Sequence, residues 1–333
     1  MTHPPAEPQA EQRGFVAVVD CGPEDRPRLA RLEEALPTVI ASGPPAEGAV
    51  AERAAGAAVL ATLYTYTRID AATLERLPEL RLVITRTAGH SHVDVAAAGR
   101  LGIGVACVPD APTIAVAEYT LAAMLAMRRR LLAAVDDTRD GAWRFTGFRG
   151  DDLAGQTLGV IGAGRVGARV AALGNALGMR VLAWSRSPKD LPAVEPVGLD
   201  DLLERSDVVS VNVALTPETH RLLDGDRLRR MRPGACLVNT ARGEVLDTGV
   251  LCELLADGRL GGACLDVLED EPVGAERLAE LAHVPNLLVT PHISWHTEGT
   301  LRRQFDGMID RILAFCAGRE VELVVPAAGS RPT

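Results

Sequence analysis

The stretch TLGVIGAGRVGARVAALG, which begins at Thr157, limits the fold of this chain more than any other. It places Gly162, Gly164 and Gly167 in a G-x-G-x-x-G spacing between an apolar strand pattern and a helical pattern. The first glycine allows a tight turn, the second lets a ligand approach the backbone, and the third lets the helix pack against the strand. Phosphate groups bind readily at the N-terminus of such a helix. The stretch therefore predicts the first strand, turn and helix of a dinucleotide-binding sheet.

Strand and helix patterns alternate on both sides of this stretch. The segment 15–108 contains the apolar runs FVAVVD, AVLATLY, RLVIT and GIGVACV, with helical patterns between them. A second series starts at Thr157 with TLGVI and continues through RVLAW, DVVSVNV, ACLVNT, GACLDV and NLLVT. Strands separated by helices of about ten residues pair in parallel through right-handed crossovers. The sequence predicts an α/β protein with two doubly wound parallel sheets.

The segments between and after the two series suggest the domain boundaries. A long helical pattern runs from about Thr113 to Leu132, and the polar, Gly-rich DDTRDGAWRFTGFRGDDLAGQ follows it as a connection. A last amphipathic helix, from Thr297 to Cys316, is expected to return to the first series. The predicted organisation is a disordered lead (1–14), a substrate-binding domain (15–111 and 293–333) and a dinucleotide-binding domain (112–292).

Composition excludes several classes of function. The net charge of −9 argues against nucleic acid and anionic membranes as partners, because both are bound through basic patches. The N-terminus lacks a signal-peptide pattern, and the six cysteines contain no C-x-x-C pair, so we expect a cytoplasmic protein without a metal site. Lys189 is the only lysine, which disfavours a Walker-type loop and Schiff-base chemistry. Small metabolites remain as the expected partners.

The second strand of the dinucleotide-binding series predicts which cofactor is preferred. NAD-binding sheets carry an acidic residue after this strand, where it accepts from the ribose 2′-hydroxyl. Here Ser185 and Arg186 follow MRVLAW instead. A guanidinium and a hydroxyl suit a 2′-phosphate, so NADP(H) is favoured. In the alternative interpretation Arg186 stacks on adenine or is solvated, and NAD(H) binds.

Three further stretches place chemically useful side chains directly after apolar runs. They are LVNTARGEVLD with Arg242, GGACLDVLEDEP with Asp266 and Glu271, and TPHISWHT with His292. The carboxyl ends of parallel strands meet at one edge of a sheet, where open α/β folds bind their ligands. An arginine, a carboxylate and a histidine beside a nicotinamide can reduce a carbonyl group. In the alternative, purely structural interpretation, Asp266 caps a turn.

Several motifs occur in one characteristic order: RTAGHSHVD, VPDAPTIAVAEYTLAAML, VIGAGRVG, LTPETHRLL, NTARG, LDVLEDEP and TPHIS. From about Val16 to Val324 the chain resembles the D-isomer-specific 2-hydroxyacid dehydrogenase family. Within it the chain is most similar to D-lactate dehydrogenases, including those associated with vancomycin resistance. The resemblance implies two Rossmann-like or flavodoxin-like domains with an active-site cleft between them. It also implies a homodimer formed through the helix after Thr113 and the WRFTGF segment.

The resemblance assigns a role to each motif residue. Arg242 would bind the substrate carboxylate and polarise the 2-oxo group, His292 would donate the proton, and Glu271 would orient the imidazole. Asp266 would bind the nicotinamide carboxamide. The residues predicted to bind substrate are Ala88, Gly89, His90, Arg242 and Trp295. The residues predicted to contact the cofactor are Gly162, Gly164, Arg165, Val166, Gly167, Ser185, Arg186, Val213, Ala214, Thr219, Thr240, Ala241, Arg242, Asp266 and His292.

Two departures from the family pattern concern the substrate. Ala111 stands where D-lactate enzymes commonly carry a tyrosine, and Trp295 stands where they carry Phe or Tyr. These changes would reshape the pocket and leave a 2-oxo acid larger than pyruvate as an open alternative. The alternatives are glyoxylate or hydroxypyruvate reduction on the same residues, and a dinucleotide-sensing interaction protein. Formate oxidation is disfavoured, because relatives with that activity carry Gln at the position of Glu271.

Overall fold

The computed structural model describes residues 14–46, 48–187 and 189–325. The predicted disordered lead lies outside the described residues except for Gly14. The chain divides into two units: the described residues through Pro112 with those from Glu298 onward, and Thr113–Thr297. The chain therefore returns to the first unit after Thr297, whereas the sequence analysis placed this domain boundary after residue 292. The segment that follows residue 292 stays with the second unit because the buried Asp266 carboxylate accepts from its backbone N–H groups.

The first unit contains a five-stranded sheet in which every pair of neighbouring strands is parallel. Its strands are β1 (Val16–Cys21), β2 (Thr38–Ser42), β3 (Val59–Thr62), β4 (Leu82–Thr85) and β5 (Gly104–Ala106). The order β2-β1-β3-β4-β5 is the flavodoxin-like order, which reverses between β1 and β3.

Helices cover both faces of the sheet of the first unit, so the residues of its central strands are buried on either side. Asp70 and Asp94 each begin a helix by accepting a backbone N–H three residues ahead. The helices are α1 (Ala30–Ala35), preceded by a 3₁₀ turn (Arg26–Leu29), α2 (Ala49–Arg53), α3 (Ala71–Glu75), α4 (Val95–Arg100) and the C-terminal helix (Glu298–Cys316).

The described residues of the second unit form seven strands and seven α-helices. The helices are α5 (Thr113–Arg128), α6 (Leu131–Arg139), α7 (Arg165–Ala176), α8 (Leu199–Arg205), α9 (Gly225–Arg230), α10 (Thr248–Ala256) and α11 (Ala275–Ala282). The strands are β6 (Thr157–Ile161), β7 (Arg180–Trp184), β8 (Val194–Pro196), β9 (Val208–Val211), β10 (Cys236–Asn239), β11 (Gly262–Leu265) and β12 (Leu287–Val289). They pair in parallel in the order β12-β11-β10-β9-β6-β7-β8, which extends the Rossmann order.

The two doubly wound parallel sheets predicted from the sequence are confirmed. The single long helix predicted from Thr113 to Leu132 is wrong, because α5 ends at Arg128 and α6 begins at Leu131. The carbonyl oxygen of Arg128 accepts the N–H of Asp151, and Arg130 takes a left-handed backbone with φ of 48°. The returning chain therefore stops the helix.

Among the described residues, no helix is long and apolar enough to cross a membrane.

Candidate functional site

The seven-stranded sheet reverses its strand order between β6 and β9, so the turns after these two strands lie side by side. Gly162 follows β6 with φ of +96°, a conformation that favours glycine. A Cβ atom on this residue would lie 2.6 Å from the backbone oxygen of Asn212 and 2.8 Å from Val213. Glycine is thus required where the two turns meet.

Gly164 and Gly167 have different surroundings. A Cβ atom on Gly167 would overlap the backbone oxygen of Gly162, so this glycine brings α7 against its strand. A Cβ atom on Gly164 would meet nothing within 4 Å. Gly164 precedes α7 and gives it no side-chain cap. Arg165 and Val166 form the exposed and half-buried start of this helix. These features fit the pyrophosphate of a dinucleotide.

The end of β7 carries the residues predicted to meet the adenine ribose. The Ser185 hydroxyl donates to the backbone oxygen of Ser187 at 2.7 Å, and Arg186 is exposed. A hydrogen bond from Thr216 lowers the pKa of Glu218, and the positive charge of Arg186 contributes to that lowering. Arg186 therefore lies close enough to the loop after β9 to act on its charges.

The loop after β9 closes on itself through one hydroxyl. The Thr219 side chain donates to the oxygen of Ala214 at 2.6 Å and accepts the N–H of Thr216 at 2.7 Å. Val213, at the start of this loop, is half-buried and packs against the core. The predicted cofactor residues of this loop thus stand on a fixed turn beside Gly162.

The Arg242 loop follows β10 and is shaped by the side chain of Asn239. This buried amide accepts the N–H of Ala241 at 3.0 Å and donates to the oxygen of Arg242 at 2.9 Å. Thr240 lies against α5, with its hydroxyl 3.3 Å from that of Thr120. The sequence analysis did not identify Asn239. The available signal was its position as a polar residue at the end of an otherwise apolar strand.

Gly243 brings the Arg242 loop against the loop after β11. A Cβ atom at this position would overlap the backbone of Leu268 and Glu269. The glycine of the NTARG motif is therefore needed for close packing of the two loops. The charge of Arg242 reaches Glu271, because it contributes to lowering the pKa of that carboxyl group.

His292 and Glu271 form a direct pair. The imidazole Nδ1 lies 2.7 Å from Glu271 Oε2, and Glu271 Oε1 accepts the N–H of Leu268 at 3.0 Å. Partial burial acts to raise the pKa of Glu271, but these two hydrogen bonds and the charges of His292 and Arg242 lower it below its ordinary value. The carboxylate is thus anionic at neutral pH and accepts from Nδ1–H. Nε2 remains for a ligand.

Asp266 holds the backbone of the His292 loop. Its carboxylate is fully buried and accepts from the Thr290 hydroxyl at 2.6 Å and from the N–H groups of Ile293 and Ser294, both at 2.9 Å. His292 itself has φ of 55°, which is uncommon for a residue with a side chain. Its N–H donates to the oxygen of Asp266 at 2.8 Å. The structure gives Asp266 an anchoring role, and carboxamide binding stays a prediction.

Two neighbours complete this part of the site. Tyr119 on α5 lies 2.6 Å from the Thr290 hydroxyl, which adds a link to the Asp266 anchor. Trp295 is half-buried and its ring lies 5.0 Å from that of His296, tilted by 56°. Sequence reasoning missed Tyr119, because its contact joins residues 171 positions apart. A role of Trp295 in binding the substrate stays a prediction.

The predicted substrate loop of the first unit follows β4. The Thr87 hydroxyl donates to the oxygen of Gly89 at 2.6 Å, so this carbonyl is bonded within the loop. Within the described part of the chain, the N–H groups of Ala88, Gly89 and His90 donate to no protein acceptor. Consecutive N–H groups of this kind form an anion-binding concavity.

The comparisons with known proteins agree with this geometry. A family model for the D-isomer specific 2-hydroxyacid dehydrogenase, NAD binding domain, matches residues 121–294. A glycerate dehydrogenase of Methylorubrum extorquens is 35% identical over 83% of this chain and 88% of its own length. A glyoxylate reductase of Aeropyrum pernix is 38% identical over 83% and 85%.

A solved structure is similar over almost the whole chain. The D-lactate dehydrogenase of Aquifex aeolicus, complexed with NAD and lactic acid, has a TM-score of 0.85 and 30% identity. The similarity covers 94% of this chain and all of that one. The resemblance inferred from the motifs is thereby confirmed. The chain belongs to the D-isomer specific 2-hydroxyacid dehydrogenase family and is an oxidoreductase with a nicotinamide-dinucleotide-binding domain.

Proposed function

We propose that the protein reduces a 2-oxo acid to the D-2-hydroxy acid, with NAD(P)H as hydride donor. The observation that carries this proposal is the His292–Glu271 pair, whose Nδ1–Oε2 bond of 2.7 Å leaves Nε2 for a substrate oxygen. The names of the glycerate dehydrogenase, glyoxylate reductase and D-lactate dehydrogenase relatives support the same reaction class.

The reaction needs one hydride and one proton at the carbonyl group. When bound, the reduced nicotinamide supplies the hydride. The protonated His292 donates its Nε2 proton to the carbonyl oxygen, and in the reverse direction it accepts that proton as a general base. Glu271 keeps the ring oriented and stabilises its positive charge, because its carboxylate stays anionic. Arg242 binds the carboxylate and polarises the carbonyl group through charge-assisted hydrogen bonds.

The loop after β4 supplies further donors in this proposal. The N–H groups of Ala88, Gly89 and His90 bind the substrate carboxylate, which is supported by their lack of a protein acceptor within the described residues. An anion is a suitable partner for a row of unsatisfied N–H groups. A neutral carbonyl substrate without a carboxylate would lose these interactions.

NADP(H) is the cofactor we favour, with NAD(H) as the alternative. The exposed Arg186, which follows Ser185, supports this preference because it can reach a 2′-phosphate. The negative charge of Glu218 attracts Arg186 and would compete with a 2′-phosphate for this guanidinium, so NAD(H) remains the alternative cofactor. A direct comparison of the two cofactors decides the question.

A homodimer in the cytoplasm is the assembly we propose. Trp143 and Phe145 are 92% and 88% exposed, and Leu131 and Leu132 on α6 are about half exposed. Large apolar side chains that are exposed together are typical of a protein interface. The cytoplasmic location is supported by the six cysteines, all of which are thiols.

Glyoxylate or hydroxypyruvate reduction is the second candidate function. The glycerate dehydrogenase and glyoxylate reductase relatives favour it, each covering 83% of this chain. It uses the same arginine, carboxylate and histidine, so it differs only in the substrate side chain. Trp295 is the residue we expect to separate the two candidates, because it carries a large ring and follows His292 by three positions.

Steady-state kinetics with pyruvate, phenylpyruvate, glyoxylate and hydroxypyruvate, each with NADPH and NADH, test the proposal. His292→Asn should lower kcat by about 100-fold or more, the scale of general acid catalysis, and leave NAD(P)H binding within twofold. Glu271→Gln should lower kcat, because the imidazole loses the anionic carboxylate that lies 2.7 Å from its Nδ1. Absence of turnover with every 2-oxo acid would reject the proposal.

A further inference from the structure

The sheet of the first unit also reverses its order, between β1 and β3, and open α/β sheets commonly bind ligands at such a point. In this unit, buried charged side chains of the protein lie near the strand ends where such a ligand would bind. Asp20, Asp25 and Arg86 are each at most 3% exposed and lie at the carboxyl ends of the strands. A buried set of charges is costly unless every member is paired and hydrogen-bonded.

The Arg86 guanidinium makes two hydrogen bonds and lies near two aromatic rings. It lies between two aromatic rings, 4.9 Å from the centre of Tyr64 and 5.0 Å from that of Phe305. Its Nε donates to the oxygen of Leu63 at 3.0 Å, and a terminal nitrogen donates to Asp25 at 3.4 Å. The Tyr64 hydroxyl donates to the same carboxylate at 2.6 Å. These contacts allow the side chain a single orientation.

The other carboxylate of the network orders the chain after β3. Asp20 accepts from the hydroxyls of Thr62 and Thr67 at 2.8 and 2.6 Å, and from the N–H groups of Leu63 and Tyr64 at 2.8 and 3.2 Å. The segment that receives Arg86 is thus itself rigid. Arg86 is therefore tied to a fixed support.

The backbone of Arg86 leads directly into the loop that carries the unsatisfied N–H groups. Its N–H donates to the oxygen of Thr62 at 3.0 Å, and the Thr85 hydroxyl donates to the oxygen of Thr87 at 3.1 Å. The root of the loop is therefore tied to the end of β3. An apolar residue of similar volume at position 86 could fill the space, but it could not bind Asp25 and Leu63 at once.

We infer that Arg86 is a positioning residue for the reaction: its buried side chain fixes the loop at residues 87–90 in the geometry that receives the substrate carboxylate. Arg86 is 1% exposed, so it acts through the loop and touches no substrate. The inference rests on the proposed function. Misplacement of a binding group by about 1 Å can lower a rate by about 100-fold, so the loop needs such a support.

The test compares Arg86→Met with Arg86→Lys and with a matched control, Arg53→Met. Arg53 also bridges backbone oxygens in this unit, those of Val19 and Gly43 at 2.6 and 2.7 Å, but it does not lead into the loop. Arg86→Met should raise the KM of the best 2-oxo acid at least tenfold and lower kcat/KM about 100-fold. The Kd of NADPH should stay within twofold. Arg86→Lys keeps the charge and should recover part of the loss.

Tyr64→Phe keeps the ring and removes the hydroxyl on Asp25, so it carries the test if Arg86→Met does not fold. It should raise the KM several-fold without changing the Kd of NADPH. An unchanged KM in the folded variants would overturn the inference, and so would an equal rise in Arg53→Met. A wild-type protein that turns over no 2-oxo acid would instead reject the proposed function, and the inference with it.

Discussion

Replacement of Gly164 by alanine should separate cofactor binding from folding. The residue has φ of −73° and ψ of −164°, which alanine adopts without strain, and a Cβ atom there would meet nothing within 4 Å. The free energy of unfolding should therefore change by less than about 0.5 kcal/mol. Gly164 is the residue directly before α7, where we expect the pyrophosphate, so the added methyl group should compete with it.

The cost to binding follows from the hydrogen bonds that the methyl group displaces. A hydrogen bond to a charged group contributes about 1.5–3 kcal/mol, so loss of one bond to a phosphate oxygen should raise the Kd roughly 10–100-fold. Gly167→Ala provides the contrast, because its Cβ atom would overlap the backbone oxygen of Gly162. Overpacking of this kind costs about 1–3 kcal/mol of stability, so this variant should melt at a lower temperature.

Fluorescence titration with NADPH and NADH measures the Kd of each variant, and thermal melts without cofactor measure stability. The reasoning requires Gly164→Ala to keep the wild-type melting temperature while it loses affinity. If Gly164→Ala binds both cofactors within twofold of wild type, the turn before α7 does not receive the pyrophosphate.

Three further variants test separate parts of the structure. Arg186→Ala should raise the Kd of NADPH about tenfold and leave that of NADH nearly unchanged, as measured by the same titration; equal changes would remove the 2′-phosphate role. Burial, with a smaller effect of His90, lowers the pKa of His92 from 6.5 to about 4. As the pH falls, His92 is therefore protonated in the unfolded chain before it is protonated in the folded protein, which favours unfolding. Wild type should lose roughly 3 kcal/mol of unfolding free energy between pH 6.5 and 4 that His92→Asn does not lose, and equal pH slopes in denaturant titrations would contradict this. The double change Trp143→Ser and Phe145→Ser should convert a dimer to a monomer in sedimentation, whereas an unchanged mass would exclude this segment from the interface.

The central elements of both sheets were predictable because their strands are buried on both faces and form short apolar runs bounded by turns. The edge strands β2 and β8 were not predicted, although the edge strands β5 and β12 were. β2 is half exposed, and β8 has three residues, including Pro196. Neither has an apolar run that stands out from a loop. The break between α5 and α6 depends on Asp151, which binds the oxygen of Arg128 from 23 residues further along the chain. Local periodicity carries no information about such a partner.

The candidate site was predictable to the extent that it follows from strand ends. Arg242, Glu271 and His292 each lie shortly after a parallel strand, and parallel strands bring their carboxyl ends to one edge. Their supports were not predictable in this way. Tyr119 acts through a contact that forms only in the folded chain, and the position of Asn239 at the end of an apolar strand does not reveal which groups its amide binds.

The carboxyl groups of the acidic motif LDVLEDEP have different roles in the structure. The motif contains four carboxyl groups, and sequence alone could rank them only by resemblance. Glu271 is exposed and its carboxylate lies 2.7 Å from the imidazole Nδ1, so it governs the orientation of the His292 ring. Asp266 is fully buried and reaches only hydroxyl and backbone donors of the next loop, so it governs the left-handed backbone from which that ring projects. Loss of Glu271 should therefore change the chemistry of a correctly placed histidine, whereas loss of Asp266 should misplace the histidine itself.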